Sequence, residues 1–145
     1  MNLELVKVPY RSGSLPFDAK RRGYTFDWMS RMGDPSTATY YQVLLDSAEV
    51  ARIETDEKVY LEYYGDAARF EDTALEIQNF DVHKDYRRQG IGRAAVERLA
   101  RLFPDRRLVA LSRDDDSDKF WGCGMGWTRF DKDDGRSRPA YVQPD

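Results

Sequence analysis

Residues 75–103 decide the fold, and they read LEIQNFDVHKDYRRQGIGRAAVERLARLF. The first eight, Leu75–Val82, are rich in β-forming side chains and predict a strand. From Gly90 to Phe103, apolar residues recur at helical spacing and charged residues take the opposite face, which predicts an amphipathic helix. Pro104 ends that helix. The stretch therefore predicts a strand joined to a helix by a short, basic, glycine-containing turn.

The turn between this strand and this helix has the chemistry of an anion site. Gly90 and Gly92 lack the β-carbons that would keep a ligand away from the backbone. The first amides of a helix have no acceptor within the helix, so those of Gln89–Arg93 can point at an anion. Three guanidinium groups add positive charge: Arg87, Arg88 and Arg93. A pyrophosphate suits such a turn, and a plain strand-to-helix turn with glycine for tightness is the alternative.

The remaining sequence predicts a mixed α+β chain. Further strands are expected at Leu3–Val8, Thr39–Leu45, Glu49–Thr55, Leu108–Ser112 and Trp127–Phe130, with a terminal edge strand at Ala140–Val142. One or two short helices are expected within Arg11–Asp34, and a second helix, capped by Asp116 or Ser117, is expected to run through Trp121. Lys58–Tyr64 fits either a strand or a structured loop.

Length and composition limit the class of protein. A chain of 145 residues, 41% of them hydrophobic, has the size of one domain, which we expect to cover residues 1–145. Its net charge of −3 argues against broad nucleic-acid binding. No apolar segment is long enough for a membrane span, and the N-terminus lacks a signal-peptide core, so a cytoplasmic location is expected. The single cysteine, Cys123, excludes an intrachain disulfide and argues against a thiolate metal site, so no metal is expected.

Charge is divided unevenly along the chain. Residues 46–76 carry ten acidic and three basic side chains, whereas residues 84–107 carry eight basic and three acidic ones. A solvated face is the ordinary reason for such runs. In a net acidic protein, a single basic segment that coincides with a glycine turn also favours a local anionic ligand.

Two motifs resemble those of a known family. The stretch from Asp81 to Val96 is similar to the acetyl-CoA motif of the GNAT superfamily of N-acetyltransferases, whose core pattern Arg/Gln-x-x-Gly-x-Gly/Ala is met at Arg87, Gly90 and Gly92. Downstream, residues 119–127 (KFWGCGMGW) resemble the family's Phe-Tyr-x-x-x-Gly-Phe element. The resemblance covers residues 75–130 and is only topological before them.

The resemblance implies a fold, a co-substrate and a binding site. The fold would be α+β, with a central, mostly antiparallel sheet, a splayed β–α–β cofactor site and flanking helices. Acetyl-CoA would carry the acetyl group to an amine acceptor, and the protein would act as a monomer or homodimer. The backbone of Phe80, Asp81 and Val82 would bond the pantetheine arm. The pyrophosphate would be held by the turn, that is by Arg87, Arg88, Gln89, Gly90, Ile91, Gly92 and Arg93.

Catalytic residues are less clearly marked. Glu76 matches the position of a catalytic glutamate in some members and would act as the base, although a solvent-facing strand glutamate fits the pattern too. Trp121 stands where many members have a tyrosine that protonates the leaving thiolate. An indole N–H cannot repeat that transfer. Trp121 therefore packs against the cofactor or in the core, and the sequence leaves six tyrosines as alternative acids: Tyr40, Tyr41, Tyr60, Tyr63, Tyr64 and Tyr86.

Three functions compete at this stage. The first is an enzyme that transfers acetyl from acetyl-CoA to an amine, with a cationic acceptor drawn to Glu49, Glu54, Glu57 or Glu62. The second is a non-catalytic acyl-CoA-binding or interaction module that has lost its acid. The third is a dinucleotide-binding unit, which is disfavoured because seven residues separate Val82 from Gly90.

Overall fold

A computed structural model describes residues 1–10, 15–25, 28 and 33–145. The strands are β1 (Leu3–Val8), β2 (Ala38–Leu45), β3 (Ala48–Asp56), β4 (Ala74–Val82), β5 (Arg107–Leu111), β6 (Thr128–Phe130) and β7 (Ala140–Val142). The α-helices are α1 (Ile91–Leu102) and α2 (Asp115–Asp118), and single helical turns of other types cover Gly65–Phe70, Lys84–Tyr86 and Lys119–Gly124. Hydrogen-bonded neighbours follow the order β1-β2-β3-β4-β5-β7-β6. The expected α+β class with a mostly antiparallel sheet is confirmed.

The chain forms two compact units, and both contain part of β4. The first unit comprises residues 1–56 and 78–102, and the second comprises residues 57–77 and 103–145. The division falls within β4, between Ile77 and Gln78. Each unit is described by itself below.

An antiparallel meander and one helix build the first unit. β1 pairs with β2 from Leu3 opposite Leu45 to Val8 opposite Tyr40. β2 turns into β3 at Asp46 and Ser47, whose φ angles of 49° and 69° fit the two-residue hairpin turn that matches strand twist. The apolar face predicted for α1 is the buried one, formed by Ile91, Ala95, Val96 and Leu99. Removing these side chains from water stabilises the helix by about 1.5–3 kcal/mol for each large one.

The second unit is a smaller sheet over its own core. The first residues of β4 run parallel to β5, from Ala74 beside Arg107 to Glu76 beside Val109. β7 is antiparallel to both β5 and β6. The expectation of an edge strand at Ala140–Val142 is therefore wrong, because β7 lies between two strands and β6 is at the edge. The core consists of Val59, Leu61, Tyr64, Ala67, Ala74, Val109, Ala140 and Val142.

Three other local predictions concern residues 58–64, the cap of α2 and the helices expected within Arg11–Asp34, and the structure agrees with them only in part. Residues 58–64 form a loop, the second of the two alternatives. The cap of α2 is Asp114, whose carboxylate accepts the Ser117 amide at 2.8 Å, and not Asp116 or Ser117. This bond, with the neighbouring Arg138 and Arg113, lowers the pKa of Asp114. Within Arg11–Asp34, residues 15–25 contain turns and no helix, and the rest of the helical prediction lies largely outside the described residues.

Candidate functional site

The turn after β4 has a backbone conformation set by a few local contacts. A single helical turn, Lys84–Tyr86, follows β4, and the His83 imidazole caps it by accepting the Asp85 amide at 3.1 Å. The chain then becomes extended at Arg87 and left-handed at Arg88, with φ of 62°. Gly90 has φ of 78°, which glycine adopts without the steric cost that other residues incur. We call residues 83–93 the cofactor turn.

The first amides of α1 lie at the end of the cofactor turn. The bond from the Ala94 amide to the Gly90 carbonyl, at 3.1 Å, is the first turn of α1. The amides of Ile91, Gly92 and Arg93 precede it and have no acceptor within the helix. Among the described residues, the nearest neighbour of a β-carbon added to Gly90 would be the Met1 methyl group, at 4.0 Å, an ordinary van der Waals distance. The helix dipole favours negative charge at this end.

The three guanidinium groups predicted for this site are placed differently. Arg88 is exposed. Arg93 is exposed as well and pairs with Glu97 at 2.9 Å along α1. Arg87 turns back towards β4, where its Nε donates to the Val82 carbonyl at 2.9 Å and its guanidinium lies 3.6 Å from the Asp81 carboxylate. Arg88 and Arg93 are therefore exposed at the turn, whereas Arg87 binds the end of β4.

The other residues predicted to bind the cofactor differ in their exposure to solvent. Gln89 is exposed and donates from its amide to the Asp85 carbonyl at 3.1 Å. Ile91 is buried and Gly92 is half-buried. In β4, Phe80 and Val82 are half-buried, whereas Asp81 is buried. Ile91 can therefore contribute only its backbone to a ligand at the turn.

Glu76 lies in the second unit and is buried, with 5% of its surface exposed. Its strand neighbour Val109 belongs to the core that contains Tyr64. Burial raises the pKa of the Tyr64 hydroxyl, and the nearby charges of Glu76 and Asp134 raise it further. Tyr64 is thus a tyrosine within electrostatic reach of Glu76. Sequence reasoning named it only as one of six, because the loop that brings it there has no periodic pattern.

Trp121 is part of an aromatic cluster in the second unit. It lies in the helical turn Lys119–Gly124 and is 6% exposed. Its ring centroid is 4.7 Å from that of Phe120 and 4.6 Å from that of Trp127. Its carbonyl accepts the Trp127 amide at 2.9 Å. These contacts support the interpretation of Trp121 as a packing residue.

Much of the acidic stretch, defined as residues 46–76, is occupied by internal partners. In the first unit, Glu49 accepts the Arg52 Nε at 2.7 Å, the Tyr24 hydroxyl at 2.9 Å and the Gln42 amide at 2.6 Å. In the second unit, Glu57 pairs with Arg106 at 2.7 Å. These carboxylates neutralise or bind neighbouring groups of the chain itself.

Glu54 has a different environment, because its hydrogen-bond donors are neutral. It is fully buried and accepts the Asn79 amide at 3.1 Å and the Gly33 backbone amide at 3.2 Å. Burial raises the pKa of the Glu54 carboxyl, with these bonds and one from Tyr40 opposing the shift and Asp56 adding to it. The Asn79 Oδ1 atom is buried and has no hydrogen-bond partner among the residues that the structure describes. Of the four glutamates expected to draw an acceptor, Glu62 alone is exposed without a contact described above.

Neither a metal-binding cluster nor a membrane-spanning helix is present in the described part of the chain. No group of three or more His, Cys, Asp or Glu side chains there is arranged to hold a metal ion. Among the helices that the structure describes, none combines the length and the apolar composition needed to cross a membrane.

Comparison with known proteins places these features in context. Residues 17–127 match the model of the acetyltransferase (GNAT) family. The ribosomal-protein-S18-alanine N-acetyltransferase of Escherichia coli is similar in fold, with a TM-score of 0.58 and 19% identity over 97% of this chain and 91% of that one. The N-acetyltransferase YlbP of Bacillus subtilis, solved in complex with coenzyme A, gives a TM-score of 0.54 and 22% identity over 73% and 68% of the two chains.

A third structure differs in length. An acetyltransferase of Thermus thermophilus gives a TM-score of 0.56 and 20% identity over 75% of this chain, which spans only 65% of that protein. Among proteins with curated descriptions, none matches this sequence.

Proposed function

The chain belongs to the GNAT acetyltransferase family, and we propose that it transfers an acetyl group from acetyl-CoA to a primary amine by direct attack on the thioester. The observation that carries the proposal is the cofactor turn, where a left-handed glycine and the first amides of α1 coincide with the exposed Arg88 and Arg93. Membership of this family favours acetyl-CoA over the dinucleotide alternative.

The amides of residues 88–93 would hold the pyrophosphate of acetyl-CoA, with Arg88 and Arg93 neutralising its charge. The backbone of Phe80, Asp81 and Val82 would bond the pantetheine arm, as the family resemblance implies. Arg87 would support the turn from the end of β4, because its Nε already donates to the Val82 carbonyl. This division of roles gives the backbone the main part in binding.

The chemistry requires two proton transfers. The amine nitrogen attacks the thioester carbonyl carbon, the C–S bond breaks, the nitrogen loses a proton and the thiolate gains one. We assign the first transfer to the Glu76 carboxylate, which is buried at the position that the resemblance marks. We assign the second to the Tyr64 hydroxyl, because Tyr64 shares a core with Val109, the strand neighbour of Glu76. Burial and the nearby charge of Glu76 raise the pKa of this hydroxyl, so it keeps the proton that it would donate. Trp121 takes no part in proton transfer under this assignment.

The acceptor would be an amine, with cationic amines as the first class to test. Support comes from the exposed acidic side chains of Glu62 and Asp66 in the second unit. Glu49 and Glu57 are not proposed for this role because arginine neighbours already neutralise them. If exposed charge attracts the acceptor, kcat/KM for a polycationic amine should fall with added salt while that for a neutral amine stays constant.

The test is release of coenzyme A from acetyl-CoA in the presence of polyamines, aminoglycosides, amino acids and peptide amines. We expect turnover with at least one class, and mass spectrometry should find the product heavier by one acetyl group. Glu76→Gln should lower kcat by about 10²-fold or more, the usual contribution of a general base. The matched control is Glu4→Gln, which changes an exposed strand glutamate and should leave kcat unchanged.

A second candidate is an acyl-CoA-binding module without catalysis, and the packing of Trp121 where many members have a tyrosine favours it. Tight binding of acetyl-CoA with no turnover across the whole amine panel would establish this alternative and contradict the enzyme.

A further inference from the structure

Residues 23–25 lie against the end of β4 and the start of the cofactor turn, all within the first unit. The Gly23 carbonyl accepts the Lys84 amide at 2.8 Å. The Tyr24 ring packs edge-on against the His83 ring, with centroids 5.3 Å apart. The Thr25 hydroxyl donates to the Asp81 carboxylate at 3.2 Å. Three consecutive residues of one segment are thus docked on residues 81–84.

This docking has little freedom. Gly23 has φ of 107°, and a β-carbon there would lie 2.1 Å from the Nε2 atom of His83. The imidazole therefore occupies the space that any other residue would need. The His83 amide in turn donates to the Val50 carbonyl of β3 at 2.8 Å, which fixes the other side of the contact.

Asp81 connects this segment to the cofactor turn. Its side chain is 3% exposed and lies 3.6 Å from the Arg87 guanidinium, while it accepts the Thr25 hydroxyl. One buried carboxylate therefore contacts both the docked segment and the first residue of the motif that carries the family resemblance. Asp81 entered the sequence prediction only through its backbone.

Because the Asp81 carboxylate is buried, its stability depends on its contacts with Arg87 and Thr25. A buried charge is tolerated when it is paired and hydrogen-bonded, and removing one partner leaves it uncompensated. Fixing Arg87 therefore fixes the carboxylate that Thr25 binds. Since such coupling is reciprocal, a ligand that orders the turn also orders the segment.

We propose that Asp81 is a positioning residue, which holds Arg87 at the end of β4 and couples coenzyme A binding at the cofactor turn to the docking of residues 23–25. The inference rests on the proposed function, because the ligand of the turn is coenzyme A. It adds a role for the Asp81 side chain and a second segment that responds to the ligand.

Hydrogen–deuterium exchange of the full chain, with and without coenzyme A, tests the coupling. In the wild type, coenzyme A should slow exchange in peptides covering 15–25 as well as 83–93. In Asp81→Asn the effect should remain at 83–93 and decrease at 15–25, where the Gly23–Lys84 bond is kept, and the Kd for coenzyme A should rise three- to tenfold. Thr25→Val removes the segment's bond and leaves Asp81 and Arg87 in place. It should show the same decrease at 15–25 with a change in Kd of no more than about twofold.

The outcomes separate the two proposals. If the wild type does not bind coenzyme A, the proposed function and this inference fall together. If coenzyme A binds and slows exchange at 15–25 equally in the wild type and in Thr25→Val, the coupling is refuted while the proposed function stands. Because Thr25→Val keeps the Asp81–Arg87 pair, this arm decides the question even if Asp81→Asn fails to fold.

Discussion

The cofactor turn and the acidic stretch both stand out in the sequence by their charge, yet they use that charge in different ways. At the turn, Arg88 and Arg93 are exposed beside the first amides of α1, although Arg93 also pairs with Glu97. In the acidic stretch, Glu49, Glu54 and Glu57 accept bonds from groups of the chain itself. A run of charge in a sequence therefore favours a ligand site only where its side chains stay exposed beside backbone groups that can bind a ligand.

The largest effect on stability is expected when Arg52, a partner of the acidic stretch, is replaced. This guanidinium is 3% exposed, pairs with Glu49 and lies 4.1 Å from the Tyr24 ring centroid. Arg52→Ala should lower the free energy of unfolding by about 3 kcal/mol, the lower end of the range for breaking a buried pair, because only the part-exposed Arg21, 3.6 Å away, remains as a cation beside Glu49. Urea denaturation measures the loss. Arg69→Ala, an exposed cation over Phe70, should cost less than about 1 kcal/mol, and equal losses in the two variants would contradict the buried network.

At the cofactor turn, Gly90→Ala should weaken coenzyme A binding about tenfold. A residue with a β-carbon meets a cost of about 1–2 kcal/mol at positive φ, and relief of that strain reorients the amides of the turn. Isothermal titration calorimetry measures the change in Kd. Gly135→Ala is the matched control, since its φ of 66° carries a similar backbone cost in the second unit and should leave Kd unchanged. An unchanged Kd in Gly90→Ala would remove the turn from the binding site.

The contribution of Glu54 to the free energy of unfolding should depend on pH. Its pKa is raised in the folded state by burial, so the folded chain holds this proton more tightly than the unfolded chain. The resulting stabilisation is complete below the unfolded pKa and is lost as pH rises through the folded pKa. The free energy of unfolding of the wild type, minus that of Glu54→Gln, should therefore decrease as pH rises from about 4.5, a typical glutamate pKa. Urea titrations at a series of pH values test this, and a difference that grows with pH would reverse the assignment.

The smallest effect is expected on α1. Glu97→Gln breaks an exposed pair with Arg93 and should cost about 0.3–0.5 kcal/mol of stability. Because Arg93 stays exposed, coenzyme A affinity should change by less than about twofold. A larger loss of affinity would mean that Glu97 holds Arg93 in its binding position.

Local patterns predicted most of the strands and α1, because alternation and helical spacing report directly on which face is buried. Leu3–Val8 and Ala140–Val142 were predicted with the bounds that the structure has. The prediction that Ala140–Val142 is an edge strand is wrong, because β7 lies between β5 and β6 and strand order depends on partners distant in sequence. The cap at Asp114 was missed because several acidic residues in succession offer equivalent candidates.

In the candidate site, too, features of consecutive residues could be predicted from the sequence, and contacts between distant residues could not. The glycine turn could be predicted because its chemistry lies in consecutive residues. The conformation of the Arg87 side chain could not, because it depends on contacts with Asp81 and Val82 that form only in the folded chain. The electrostatic effect of Glu76 on Tyr64 depends on the loop of residues 57–64, which carries no repeating pattern. The roles of these residues in binding and catalysis stay predictions.

The insertion of β7 between β5 and β6 also has a consequence for how the second unit forms. Tyr141 is the register partner of Ala110 on one side and Arg129 on the other, and it follows both in the chain. Neither β5 nor β6 can acquire its antiparallel partner during synthesis until residues 140–142 have left the ribosome. Closure of this sheet is thus a late, long-range event, of the kind that slows folding relative to local hairpins such as β2–β3.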